Sequence, residues 1–117
     1  MNGPLVSFVM PCYDYGRYLR DCVDSILSQR GDFAIEVIAI NDCSPDDTLE
    51  ILKSYNDSRL RIIDHKVNRG HVFTVNEGIE QAKGRYVVRI DPDDRYRQDF
   101  LLKTVPVPVS YTHLRAH

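Results

Sequence analysis

Apolar positions fall in short blocks along the chain, and the spacing within the blocks alternates between that of a strand and that of a helix. Leu5 to Met10 is an apolar, β-branched run closed by Pro11, the pattern of a buried strand. From Tyr18 to Gln29, Leu19, Val23, Ile26 and Leu27 recur at i, i+4, i+7 and i+8, one face of a helix. Ile35 to Ile40 is a second buried strand, ending at Asn41-Asp42. Ser44-Pro45-Asp46-Asp47 then has the chemistry of a helix start. Ser44 can cap, Pro45 suits the first turn, and the two Asp favour the positive end of the dipole. That helix is expected to reach about Tyr55 and to bury Leu49, Ile51, Leu52 and Tyr55. Leu60 to Ile63 reads as a third strand. Phe73 to Lys83 reads as a helix whose apolar face is Val72, Val75, Ile79 and Ala82, with Gly84 at its C-terminal cap. Arg85 to Ile90 is the fourth strand, and a last helix begins near Gln98.

Strands alternating with helices of this length imply βαβ units, a mostly parallel sheet and an α/β fold of Rossmann-like kind. Ligands of such sheets bind at the carboxyl ends of the strands. The polar segments Tyr13-Asp14-Tyr15, Asn41-Asp42-Cys43-Ser44 and Asp91-Pro92-Asp93-Asp94 would all open on that one edge. Beyond Thr104 the pattern breaks. Val105-Pro106-Val107-Pro108 cannot continue a helix, and Val109 to His117 shows neither period. Residues 1–104 are therefore read as part of one domain and 105–117 as a non-native or disordered tail. Its end resembles the conceptual translation of a sequencing adapter.

Bulk properties narrow the function. Apolar residues make up 43% and charged residues 27%, ordinary values for a globular chain. A formal net charge of −2 disfavours a nucleic-acid binder. No run approaches a membrane span, and the N-terminus has no signal-peptide pattern. Cys12, Cys22 and Cys43 form no C-x-x-C pair and read as free thiols of a reducing, cytoplasmic compartment. A zinc site is not expected, because no His lies at ligand spacing to them.

Three carboxylates within four residues, at Asp91, Asp93 and Asp94, repel one another unless a cation sits among them. Oxygen-only ligands suit Mg2+ or Mn2+, which use one or two carboxylates together with substrate phosphates. On those residues alone, a solvated turn capping the next helix is an equal reading. Asp42 could accept from a ribose or a base N–H. Tyr13 could stack on a base or simply cover the sheet edge. Arg69, in Asn68-Arg69-Gly70-His71, could meet a diphosphate or remain a solvated charge. Cys43 reads as a small filler beside the site.

Taken together, the segments from Leu5 to Leu102 resemble glycosyltransferase family 2, whose catalytic domain has the GT-A fold. Pro11-Cys12-Tyr13-Asp14 is similar to that family's P-x-Y-N strand end. Asn41-Asp42-Cys43-Ser44 with Asp46 and Thr48 is similar to D-D-G-S-x-D-x-T. Asn68-Arg69-Gly70, with Asn76 and Gly78, resembles its N-x-G segment, and Asp91-Pro92-Asp93-Asp94 resembles D-A-D-D, the DXD motif. The resemblance implies Pro11 and Tyr13 at the nucleobase, Asp42 bonded to the base, Asp93 at ribose or metal, and Asp94 with Asp91 holding Mn2+ or Mg2+. It further implies a nucleotide-diphosphate sugar as donor, with UDP expected, and a glycan or other hydroxyl as acceptor. Transfer would be metal-assisted and inverting. The family's general base lies in a second half of the domain, so the 117 residues are expected to hold the donor half-site and to be inactive alone, in the cytoplasm or at the inner face of the membrane. The alternative is a nucleotide-binding domain without transfer. Asp14, Asn41, Cys43 and Pro92 depart from the family pattern, Cys43 at a place where Gly is usual.

Overall fold

The computed structural model describes residues 4–104 and 114–116. Strand β1 (Leu5–Cys12) lies between β2 (Ala34–Asn41) and β4 (Tyr86–Arg89), and β3 (Leu60–Asp64) flanks β2. All three pairings are parallel, with Phe8 opposite Val37 on one side and Val88 on the other. A short strand β5 (Leu114–Ala116) runs antiparallel along β4 and completes the order β3-β2-β1-β4-β5. The edge of β4 is thus paired, and the tail has regular backbone at 114–116. Its reading over 105–113 and at 117 lies outside the described residues.

Period-two alternation puts both faces of β1 to use. Val6, Phe8, Met10 and Cys12 face a large core with α1 (Gly16–Leu27), whose Leu19, Cys22, Val23 and Ile26 are fully buried. Leu52 of α2 (Thr48–Lys53) and Leu101 of α4 (Phe100–Thr104) close that core. Val9, Ile38, Ile40 and Val87 face the opposite side, under α3 (His71–Gln81).

Three local expectations change. Helix α2 starts at Thr48, not at Pro45, because the Ser44 side chain is spent elsewhere and Asp46 satisfies the Thr48 N–H at 3.1 Å. The expected face of helix α3 holds at Ile79 and Ala82, which pack on the sheet, but Val72 is 73% exposed and the buried positions within the helix are Thr74 and Gly78. Gly78 lets α3 sit close on the sheet, since a Cβ there would stand 2.9 Å from Ile40 Cδ1. Gly84 is not the helix cap, which is Ala82 in extended conformation. Its N–H donates to Ser7 Oγ at 2.8 Å, within a buried cluster in which Ser7 also donates to Glu36 and Arg61 pairs with Glu36 at 3.0 Å.

Candidate functional site

The carboxyl ends of β1, β2 and β4 open on a cleft of about 730 Å³. It lies at the point where strand order reverses, with β2 on one side of β1 and β4 on the other. Pro11, Tyr13, Asp42, Asp91 and Asp93 all line it. So do Asn68, Gly70 and Thr74 from the approach to α3. The convergence expected from the three strand-end loops is present.

The β1–α1 and β2–α2 loops are clipped together by Ser44 and Asp46. Ser44 Oγ accepts the Asp14 N–H at 2.8 Å and donates to Asp46 Oδ1 at 2.5 Å. Asp46 Oδ1 also takes the Thr48 hydroxyl at 2.5 Å, and Oδ2 takes the Gly16 N–H at 2.8 Å, the first amide of α1. Burial opposes its charge, but these donors hold the Asp46 carboxyl down to about 2. Gly16 is needed here, since a Cβ would stand 2.9 Å from Asp46 Oδ2. Tyr13, 47% exposed, projects from the loop so fixed. Asp14 (φ 61) and Cys43 (φ 57) both adopt the left-handed conformation, Cys43 at the position where the family motif has Gly.

Asp42 is buried, and its carboxylate is already well occupied. Oδ1 accepts the Arg69 N–H at 2.7 Å and faces His65 Nδ1 at 2.9 Å; Oδ2 accepts the Gly70 N–H at 3.1 Å. Burial works against its charge, yet these donors keep its carboxyl below the usual aspartate range. Asn68 Nδ2 donates to the Asp42 carbonyl at 3.1 Å. Asp42 therefore organises the loop before α3 as well as lining the cleft. Thr74 adds a buried hydroxyl with no partner among the described residues, in the wall of the same cleft. Sequence reasoning missed Thr74 and His65. His65 was findable, because it follows β3 directly and so stands at a strand's carboxyl end.

Arg69 and Asp94 are not in the cleft wall. The Arg69 guanidinium lies over the Phe73 ring, 4.2 Å from its centre, and Asp94 closes a turn through its N–H to the Asp91 carbonyl at 3.1 Å. The base of the acidic loop is anchored. Asp91 N–H donates to Tyr96 Oη at 3.2 Å, and the Cys22 thiol points to the Asp91 carbonyl. Arg89 pairs with the Asp91 carboxylate at 3.1 Å. No cluster of three His, Cys, Asp or Glu side chains suited to a metal forms among the described residues. The acidic loop is thus not a ready three-carboxylate cage. It presents two carboxylates, Asp91 and Asp93, to a cleft that also holds Asp14 and Asp42, against Arg17. A polyanion entering such a cleft needs a cation beside it, and two carboxylates plus phosphate oxygens form a common Mg2+ or Mn2+ site. The residues fit that ion on condition that the ligand completes its shell.

A sheet of this order, with acidic and aromatic residues at its strand ends around one cleft, matches GT-A glycosyltransferase structures. The sequence profile of Glycosyl transferase family 2 matches residues 7–107, and the chain belongs to that family. It is 38% identical over 102 residues to the putative teichuronic acid biosynthesis glycosyltransferase TuaG of Bacillus subtilis, covering 86% of this chain and 40% of that protein. It is 41% identical over 98 residues to chondroitin synthase of Pasteurella multocida, covering 82% of this chain and 10% of that one. Among solved structures, S. aureus TarS in complex with UDP superposes with a TM-score of 0.76 at 29% identity, over 86% of this chain and 31% of TarS. Mannosyltransferase PcManGT from Pyrobaculum calidifontis, in complex with GDP-Man and Mn2+, shares the fold, with a TM-score of 0.81 at 23% identity over 96% of this chain and 34% of that one. This chain therefore spans well under half of these relatives. No helix among the described residues is long and apolar enough to cross a membrane.

Proposed function

We propose that this chain forms the donor site of an enzyme that transfers a sugar from a nucleoside-diphosphate sugar to a hydroxyl of a glycan or similar acceptor. The observation that carries the reading is the meeting of Pro11, Tyr13 and Asp42 with Asp91 and Asp93 around one cleft at the reversal of strand order. UDP is the favoured nucleotide, since TarS, a 29% identical neighbour, has been solved with UDP and with UDP-GlcNAc. Pro11 and Tyr13 flank the nucleobase, and Asp42 accepts from its N–H. Asp93 and Asp91 would hold Mn2+ or Mg2+ against the diphosphate, with Asp94 one residue outside the wall. Such an ion, when bound, neutralises charge that builds on the departing nucleoside diphosphate. Transfer is direct displacement with inversion, the base that deprotonates the acceptor coming from outside this donor site. The chain by itself is expected to bind donor and not to transfer, since it spans 40% of TuaG.

Calorimetry with UDP, with and without Mn2+, tests the reading. In Mn2+, Asp93→Asn should weaken UDP by about tenfold, the value of one charge-assisted contact. Without the ion, the variant should match the wild type. Equal affinity with and without the metal, or no loss in either Asp93→Asn or Asp94→Asn, would sink the metal assignment. Turnover of a UDP-sugar by the purified chain would overturn the division of labour.

A further inference from the structure

His65 stands between two carboxylates from different elements. Its Nδ1 is 2.9 Å from Asp42 Oδ1, at the end of β2, and its Nε2 is 2.6 Å from Glu77 Oε1, in the second turn of α3. The His65 side chain is only 8% exposed, with the ring edge-on to Phe73, and the backbone N–H of His65 donates to the Asn41 carbonyl at 2.8 Å. A neutral imidazole carries one N–H, so either tautomer would aim a lone pair at a carboxylate. Only the doubly protonated ring satisfies both partners.

The other charges nearby do not substitute for it. Lys66 is paired with Asp64 at 2.7 Å, and the Arg69 guanidinium lies over Phe73. Asp42 and Glu77 are thus the charged groups that face His65, from the β2 end and from α3. Burial opposes the positive ring, yet these two partners outweigh it and raise the His65 pKa above the ordinary histidine value.

We infer that His65 is a positioning residue of the nucleotide cleft: as an imidazolium tying Asp42 to Glu77, it fixes the Asp42 carboxylate so that Oδ2 is left to accept a ligand N–H. The inference rests on the cleft being a nucleotide site. Oδ1 is filled by His65 and the Arg69 amide, while Oδ2 holds the Gly70 amide alone. A carboxylate with one accepting position left over reads a single N–H, the chemistry of a nucleobase edge. The same tie pins the Asn68–Gly70 turn and the start of α3, so the cleft wall and the base-reading group are set together. Above the His65 pKa one of the two bonds becomes a repulsion, and the wall loosens.

Three readouts on the 117-residue chain test this. Nitrogen-15 NMR of the wild type at neutral pH should show both His65 ring nitrogens protonated. Amide exchange at Arg69 and Gly70 should be faster in His65→Gln, whose single amide cannot donate to both carboxylates. UDP affinity should fall by about tenfold from about pH 6 to about pH 9, following the His65 titration. Glu77→Gln, which can donate to a neutral ring, should abolish that pH step and serves if His65→Gln does not fold. A neutral His65 at pH 7, or identical pH profiles in wild type and Glu77→Gln, would overturn the role of His65. No UDP binding by the wild type at any pH would instead overturn the nucleotide reading.

Discussion

Asp46 Oδ2 accepts the backbone N–H of Gly16 at 2.8 Å, so the first amide of α1 is satisfied by a side chain from the β2–α2 loop. The bond does two things. It caps a helix that has no side-chain cap of its own, and it fixes the loop that presents Tyr13.

Removing that carboxylate should therefore harm both stability and binding. Asp46→Ala is expected to cost about 1–2 kcal/mol, the range for losing a helix-capping side chain. Asp46→Asn should lose less. The sign with pH follows from the lowered folded-state pKa: the contribution is full above the ordinary aspartate value and fades as pH falls toward about 2. Urea unfolding at several acidic pH values should show a shallower loss of stability in Asp46→Asn than in the wild type. Parallel curves would disprove the assignment.

Thr74 should behave in the opposite way. Its hydroxyl is buried and unpartnered, so Thr74→Val removes a desolvated group at little change in size and should leave stability equal or raise it by up to about 1 kcal/mol. If the hydroxyl serves the ligand, UDP affinity falls several-fold in the same variant. A lowered melting temperature in Thr74→Val would refute the first expectation, and unchanged UDP affinity the second.

Two glycines separate crowding from backbone strain. A Cβ at Gly84 would lie 2.5 Å from Ser7 Oγ and 2.9 Å from the Leu5 carbonyl, so Gly84→Ala must push β1 and should cost about 2 kcal/mol or more. Gly70 has open space around it but φ 90° and ψ 158°, a backbone region essentially reserved for glycine, so Gly70→Ala should cost about 1–3 kcal/mol through backbone strain. Denaturant titrations of both should show a loss in each. An unchanged midpoint in either variant would refute the cause given for it.

Cys43 holds a left-handed backbone with a Cβ, at a cost of about 1–2 kcal/mol. Cys43→Gly removes that strain and adds about 0.5–1 kcal/mol of chain entropy to the unfolded state. The variant should be more stable by roughly half to one kcal/mol, read from the denaturation midpoint. A decrease would show that the contact of the Cys43 thiol with the Lys66 carbonyl matters more than strain.

Strand positions were legible in the chain because a buried parallel strand is a continuous apolar run, and Leu5–Cys12 and Ala34–Asn41 differ from expectation only at their ends. The inward face of α3 was legible only in part: Ile79 and Ala82 were expected there, but the buried positions within the helix are Thr74 and Gly78, which hydrophobicity does not mark, and Gly78 is where the helix closes on Val9 and Ile40. Tyr13, Asp42, Asp91 and Asp93 could be placed at one edge from strand order alone. So could His65, at the end of β3, but not its bonds, because Asp42, His65, Arg69 and Glu77 meet only once β2, β3 and α3 are in register. Likewise Ser44 looked like a helix cap, and the competing use of its hydroxyl, 30 positions away at Asp14, exists only in three dimensions.

The order of the sheet also governs how the cleft comes into being. β1 pairs early in the chain with β2, but its other neighbour is β4, and Val6 meets Tyr86 across most of the sequence. Closing that long loop is the slow, entropically costly contact of the topology. Until β4 docks, one flank of β1 is open, and Asp91 and Asp93 have no fixed place opposite Asp42. A ligand that needs both walls can then be held only by chains that have completed their last parallel pairing. Nucleotide binding would draw the folding equilibrium toward that final step and act as a latch on the late-arriving strand.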